Sequence, residues 1–297
     1  MADWYFRGSE ARGGPGICPG CRRLVRKGDE FCPFCARRIR AESGWRAHAK
    51  ALLATPDIAT RGLLGLILLI FILQYLVAAL LPPEYRDGGT GGFFGSAPGA
   101  LLLMGGSSAG LVFGLDQWWR LVSYIFLHAN LLHIFFNCWM FWDIGRLVER
   151  TWGARQTFAA FILTGIAAGL ASAVLGQLSG SRGITVGASG SICGLLGLLI
   201  GAEYRLGRRR PGTFFESGLV RNGIYIIVFG LIVPGVDNAA HLGGLLSGSL
   251  LGYCLPPSGL GRSRDRTVWK VAAVCSLVLL IGSASAAGHL VFVELLS

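Results

Sequence analysis

The chain has 297 residues, of which 53% are hydrophobic and only 14% charged, with a mean hydropathy of +0.56. A soluble protein of this length would carry more charge, so the composition indicates a polytopic membrane protein. The formal charge of +11 is spread as membrane topology would spread it and does not point to nucleic-acid binding. No cleavable signal peptide is visible, because the first 60 residues are polar and arginine-rich.

Residues 1–60 read as a basic cytosolic head and 61–297 as the membrane domain. Of the eight cysteines, Cys18, Cys21, Cys32 and Cys35 lie in the head, and Cys138, Cys193, Cys254 and Cys275 lie in apolar segments. The head cysteines form two Cys-Pro-x-Cys knuckles separated by ten residues. Four thiolates in this arrangement suit tetrahedral, structural Zn2+ and a miniature zinc ribbon over about 15–38. So small a unit has almost no core and would depend on metal to fold. A disulfide pair or redox Cys-x-x-Cys motifs are the alternatives, and the arginine-rich flank favours the reducing cytosol and zinc. Residues Arg37 to Lys50 read as a helical, solvated linker, with Trp45 at the membrane surface.

Seven apolar runs follow, near 62–82, 122–147, 156–178, 188–204, 218–234, 238–255 and 268–290. Most approach the roughly 20 residues that span hydrocarbon, although the fourth to sixth are short. None alternates with a period of two, so the expected fold is an all-α bundle of seven transmembrane helices behind a small zinc ribbon. Arginine and lysine bias sets the orientation. Arg146, Arg150, Arg155, Arg205, Arg208, Arg209, Arg210, Arg221, Arg262, Arg264, Arg266 and Lys270 would join the head in the cytosol. Only Arg86, Arg120 and Arg182 would lie outside. The reading is N-inside, C-outside. The connection from Pro82 to Arg120 is then external and partly interfacial, with Trp118 and Trp119 in an aromatic belt.

The chemistry-bearing residues open three of these runs. Gly187-Ala188-Ser189-Gly190 precedes the fourth, where small residues could equally serve helix packing. Asp237-Asn238-Ala239-Ala240-His241 opens the sixth, and an ionisable residue inside a membrane segment is by default functional. A serine and a histidine at matching helix ends suggest a nucleophile and its base. In the second run His133 and Asn137, four apart, share one helix face, although polar residues there also make interhelical hydrogen bonds. At a rise of ~1.5 Å per residue, Ser189 lies about 24 Å above Arg205, His133 roughly 20 Å above Arg146, and His241 about 6 Å below Asp237. In a hydrocarbon core of ~30 Å these depths coincide, with Asn137 one turn deeper. Asp143 is about 15 Å below His133 and Asp237 is near the aqueous surface, so a dyad is favoured over a triad.

These residues resemble the rhomboid intramembrane serine proteases. The resemblance is carried by Gly187-Ala188-Ser189-Gly190, by His241 with Gly244 and Gly248, and by His128, His133 and Asn137. Trp119-Arg120 in front and Gly145 and Glu149 behind complete it, over about residues 60–290. It implies a six-helix core plus one C-terminal helix, with Ser189 as nucleophile and His241 as general base. His133 and Asn137 would help bind the oxyanion with the backbone N–H of Ser189, and no cofactor would be needed for catalysis. Transmembrane proteins in a bacterial inner or plasma membrane would be the substrates. Family members often carry an aromatic residue one turn after the serine, packed on the histidine, where this chain has Cys193. The alternatives are a catalytically silent rhomboid-like protein that binds membrane clients, and a membrane-anchored regulator whose zinc ribbon binds a protein partner.

Overall fold

The computed structural model describes residues 16–18, 20–26, 31–36, 55–82, 95–181, 183–207, 218–257 and 263–296. The linker expected over Arg37 to Lys50, including Trp45, lies outside the described residues, as do 83–94 of the external connection. The chain divides into two compact units, 1–55 and 56–297.

In the first unit, β1 (Gly16–Ile17) and β2 (Leu24–Val25) pair antiparallel, Gly16 opposite Val25 and Ile17 opposite Leu24. The two knuckles repeat one backbone pattern. The Arg22 N–H donates to the Cys18 carbonyl and the Ala36 N–H to the Cys32 carbonyl, and both Arg22 and Ala36 have positive φ. Among the described residues of this unit, buried Cys18, Cys32 and Val25, with Cys21 packed on them, form the core.

The second unit is helical: α1 (Ile58–Leu80), α2 (Pro98–Leu103), α3 (Arg120–Ser123), α4 (Leu131–Trp152), α5 (Ala154–Ser179), α6 (Ser189–Arg205), α7 (Gly218–Ile232), α8 (Asn238–Cys254) and α9 (Ser263–Leu296). Long helices therefore occupy all seven apolar runs. The second begins later than expected. Residues 120–126 form α3 and a short 3-10 turn, and α4 starts only at Leu131, where the Asn130 side chain accepts from the His133 N–H at 2.8 Å and caps it.

Three helices, α1, α5 and most of α9, are by themselves long and apolar enough to cross a membrane, with mean hydropathy 2.7, 2.2 and 2.0. The others are shorter or more polar, and for α6 the physical reason is visible. Every residue from Gly190 to Ala202 is buried, so this helix is shielded by its neighbours and its small residues serve packing.

Glycine sets that packing. A Cβ at Gly244, Gly248 or Gly252 of α8 would run into the carbonyl oxygen of Gly190, Gly194 or Leu198 on α6, and one at Gly201 would meet the Ser249 carbonyl. Two helices with small residues at this spacing can bring their backbones into contact. At the opposite end of α6 from Ser189, Arg205 donates to the Tyr253 carbonyl at 2.5 Å and to that of Cys254 at 2.9 Å, tying the two helices again.

A second lock joins α1 to α4. Buried Glu149 accepts from the Ala59 and Thr60 N–H groups at 3.0 and 2.8 Å and from the Thr60 hydroxyl at 2.7 Å. These are donors that the first turn of α1 leaves without intrahelical partners. Arg146 and Arg150 meet Asp57, the residue before α1, at 3.1 and 3.4 Å.

The segment 95–130 is built, not slack. Buried Arg120 donates to the Leu102 and Gly106 carbonyls at 2.6 and 2.9 Å and to Gln117 at 2.6 Å, and its guanidinium lies over the Trp119 ring. Gln74, fully buried in α1, holds Ser96 and the backbone of His128. These bonds tie the segment to α1 at Ser96 and His128.

Candidate active site

Ser189 is the first residue of α6, and its hydroxyl lies 2.9 Å from Nε2 of His241 in the first turn of α8. The pair meets because the glycine contacts begin one residue past the serine and three past the histidine. His241 is buried, and its Nδ1 has no hydrogen-bond partner among the described residues. Among the described residues no carboxylate bonds the ring. Asp237 instead caps α8, accepting from the Ala240 N–H at 3.0 Å, and Asp143 is exposed on α4. A serine hydroxyl within hydrogen-bond reach of an imidazole is the arrangement in which the ring can take the proton as the oxygen attacks a carbonyl.

His133 and Asn137 stand on the other side of the serine loop. Gly187 has φ +122°, and a Cβ there would fall 2.7 Å from both Cε1 and Nε2 of His133 and 3.8 Å from Nδ2 of Asn137. Glycine is required twice over, for the backbone angle and for the close approach. The Asn137 amide donates to the His133 carbonyl at 2.9 Å, which leaves its second N–H available. The His128 ring meets His133 edge-on at 5.1 Å. Ser189, His241, His133 and Asn137 are thus gathered at one end of the bundle, as their sequence depths predict. Cys193 is buried one turn along α6.

Sequence reasoning missed the groups that hold this end together. The Gly187 N–H donates to the carbonyl of buried Tyr124 at 2.9 Å, and the Tyr124 hydroxyl donates to the Gly165 carbonyl at 2.6 Å. Thr185 and Ser172 both donate to Asp237. The aspartate at the start of an apolar run was a legible capping signal; its partners, distant in sequence, were not.

In the head, the four sulfur atoms of Cys18, Cys21, Cys32 and Cys35 lie within 4.8 Å of one another, with Cys18 to Cys35 at 3.7 Å and Cys21 to Cys32 at 3.6 Å. None of the four cysteines is in a disulfide. A tetrahedron of sulfurs at Zn–S ~2.3 Å has edges of about 3.8 Å, so the donor set fits one tetrahedral ion. The N–H groups of Cys21 and Gly20 pull the Cys18 thiol down to about 6, which favours the thiolate that metal binding needs.

The model of the Rhomboid domain matches residues 115–258, which contain all of Ser189, His241, His133 and Asn137. The rhomboid protease GluP of Bacillus subtilis is 30% identical over 192 residues, covering 63% of this chain and 35% of that protein. RHOMBOID-like protein 5 of Arabidopsis thaliana is 36% identical over 142 residues, 46% of this chain and 44% of that one. Several relatives are therefore much longer than the matched stretch. The rhomboid protease AarA of Providencia stuartii is 30% identical over 195 residues, 59% of this chain and 69% of its own length. That coverage, together with the domain match, shows that the chain belongs to the rhomboid family.

Proposed function

We propose that this chain is an intramembrane serine endopeptidase that cuts transmembrane segments of other membrane proteins near their external end. The observation that carries the reading is the 2.9 Å contact between Ser189 Oγ and His241 Nε2. His241 takes the hydroxyl proton as Ser189 attacks the scissile carbonyl, then passes it to the leaving amine. The resulting acyl-enzyme is hydrolysed by water that His241 activates in turn. The tetrahedral intermediates put negative charge on the former carbonyl oxygen, and His133, the free N–H of Asn137 and the backbone N–H of Ser189 are the donors assigned to it. Ser189 and His133 are only half-buried, which supports access for water and for an unwound substrate segment.

The same reading takes all seven long helices as membrane-spanning, the N-terminus as cytosolic and the C-terminus as external. Burial of α6 among its neighbours supports a span of only 17 residues there. In the head, Cys18, Cys21, Cys32 and Cys35 hold one structural Zn2+, and the ribbon they form is a candidate docking module for a protein partner. When bound, the ion supplies cross-linking of the two knuckles and no catalytic chemistry.

The test is labelling of the protein in lipid with a small fluorophosphonate, read by intact mass. One adduct on Ser189, absent from Ser189→Ala and His241→Ala, is the expected result. Unlabelled wild-type protein, or an adduct that persists in Ser189→Ala, overturns the reading.

A further inference from the structure

Nδ1 of His241 is buried and has no hydrogen-bond partner among the described residues. In a serine–histidine–acid triad the acid holds the imidazole in its tautomer and orientation. No such bond orients this ring, so whatever fixes the first turn of α8 relative to the serine loop helps to aim it.

One carboxylate fixes both. Asp237 Oδ1 accepts from the Ala240 N–H at 3.0 Å, and its carbonyl accepts the first intrahelical bond, from the His241 N–H at 3.1 Å. Its other oxygen, Oδ2, accepts from Thr185 Oγ1 at 2.8 Å and from Ser172 Oγ. Ser172 belongs to α5, and the two hydroxyls also lie 2.8 Å from each other. Thr185 stands four residues before Ser189 in the loop that delivers it, and that loop is itself anchored, because Thr185 and Ser107 exchange both backbone hydrogen bonds at 2.7 and 3.0 Å.

We infer that Asp237 is a positioning residue that sets the Ser189–His241 distance by tying the histidine helix to the serine loop. The inference rests on the protease reading above. An ångström of misplacement between reacting groups costs catalysis far more than it costs folding, so the tie acts on turnover more than on substrate binding. Asparagine at this position keeps the helix cap and can still meet one hydroxyl. Alanine keeps neither bond.

The experiment uses the full chain in lipid and measures kcat and KM for a transmembrane substrate, together with the fluorophosphonate labelling rate, which needs no substrate. Asp237→Ala is expected to lower kcat and the labelling rate together by about 10- to 100-fold, with KM within about twofold of wild type. Asp237→Asn recovers most of that loss. Thr185→Val, which cuts the same tie from the loop side, is expected to slow labelling about tenfold, and it covers the case in which Asp237→Ala does not fold. A wild-type labelling rate in Thr185→Val, or a loss confined to KM in Asp237→Ala, overturns the inference. Failure of the wild-type protein to label at Ser189 overturns the protease reading itself, and the inference with it.

Discussion

Gly248 of α8 lies against the carbonyl of Gly194 on α6, so closely that an added methyl group would sit 2.7 Å from the carbonyl carbon. This contact is repeated at Gly244 on Gly190 and at Gly252 on Leu198. Each residue of the series is one helical turn from the next, so the two helices run together from their catalytic ends downward. The geometry of the candidate dyad is thus a consequence of backbone contact between its two helices.

Gly248→Ala tests that dependence. The methyl group has no space, so the helices must separate or slide by about an ångström, a displacement that can reduce turnover by about 100-fold. The expected result is a kcat drop of at least about tenfold in a protein that still inserts and purifies as a folded monodisperse species. Undiminished kcat in this variant would mean that α6–α8 spacing does not govern the site.

The oxyanion donors predict a graded effect. Removing one donor from such a hole typically costs about 10²- to 10³-fold in kcat, and here other donors remain. His133→Ala and Asn137→Ala are each expected to lower kcat by about 100-fold or less, while Ser189→Ala leaves nothing measurable. KM should hardly change. Loss of binding with unchanged kcat would remove these two residues from the transition state.

For the head, metal analysis is expected to give one zinc per chain, lost in Cys18→Ser or Cys32→Ser protein. Chelation should expose residues 16–36 to proteolysis without slowing fluorophosphonate labelling of Ser189. Protein that contains no zinc after exposure to excess metal contradicts the assignment.

Topology can be read at the two ends of α6. A cysteine replacing exposed Gly183, before the helix, should react with a membrane-impermeant thiol reagent on intact cells. One replacing exposed Gly207, after it, should react only after lysis. The reverse pattern would overturn the orientation read from the arginine bias.

Much of this arrangement was legible in the sequence, because a membrane fixes depth. Helix rise alone put Ser189, His133 and His241 at one level, and the structure gathers those residues. Hydropathy puts the start of α4 too early, because only Ser123 interrupts the apolar stretch from Leu121 to Leu127, and it does not separate a buried irregular segment from a span. The cap at Asn130 was the signal that would have corrected it. Depth alone puts Asp237 near the aqueous surface and says nothing of its contacts. Its bonds to Ser172 and Thr185 cross 65 and 52 residues of chain, and no local pattern encodes such contacts. Nor did spacing reveal that Gly187 is pressed on His133, since that depends on how two helices and a loop pack.

The most direct measurement is cleavage in a bilayer. Wild-type and Ser189→Ala protein are reconstituted separately with a single-span substrate, and the fragments are identified by mass. One cut within the apolar segment, near its external end, by the wild-type protein alone is the expected result. Equal cleavage by Ser189→Ala, or a cut confined to the water-exposed part of the substrate, would contradict it.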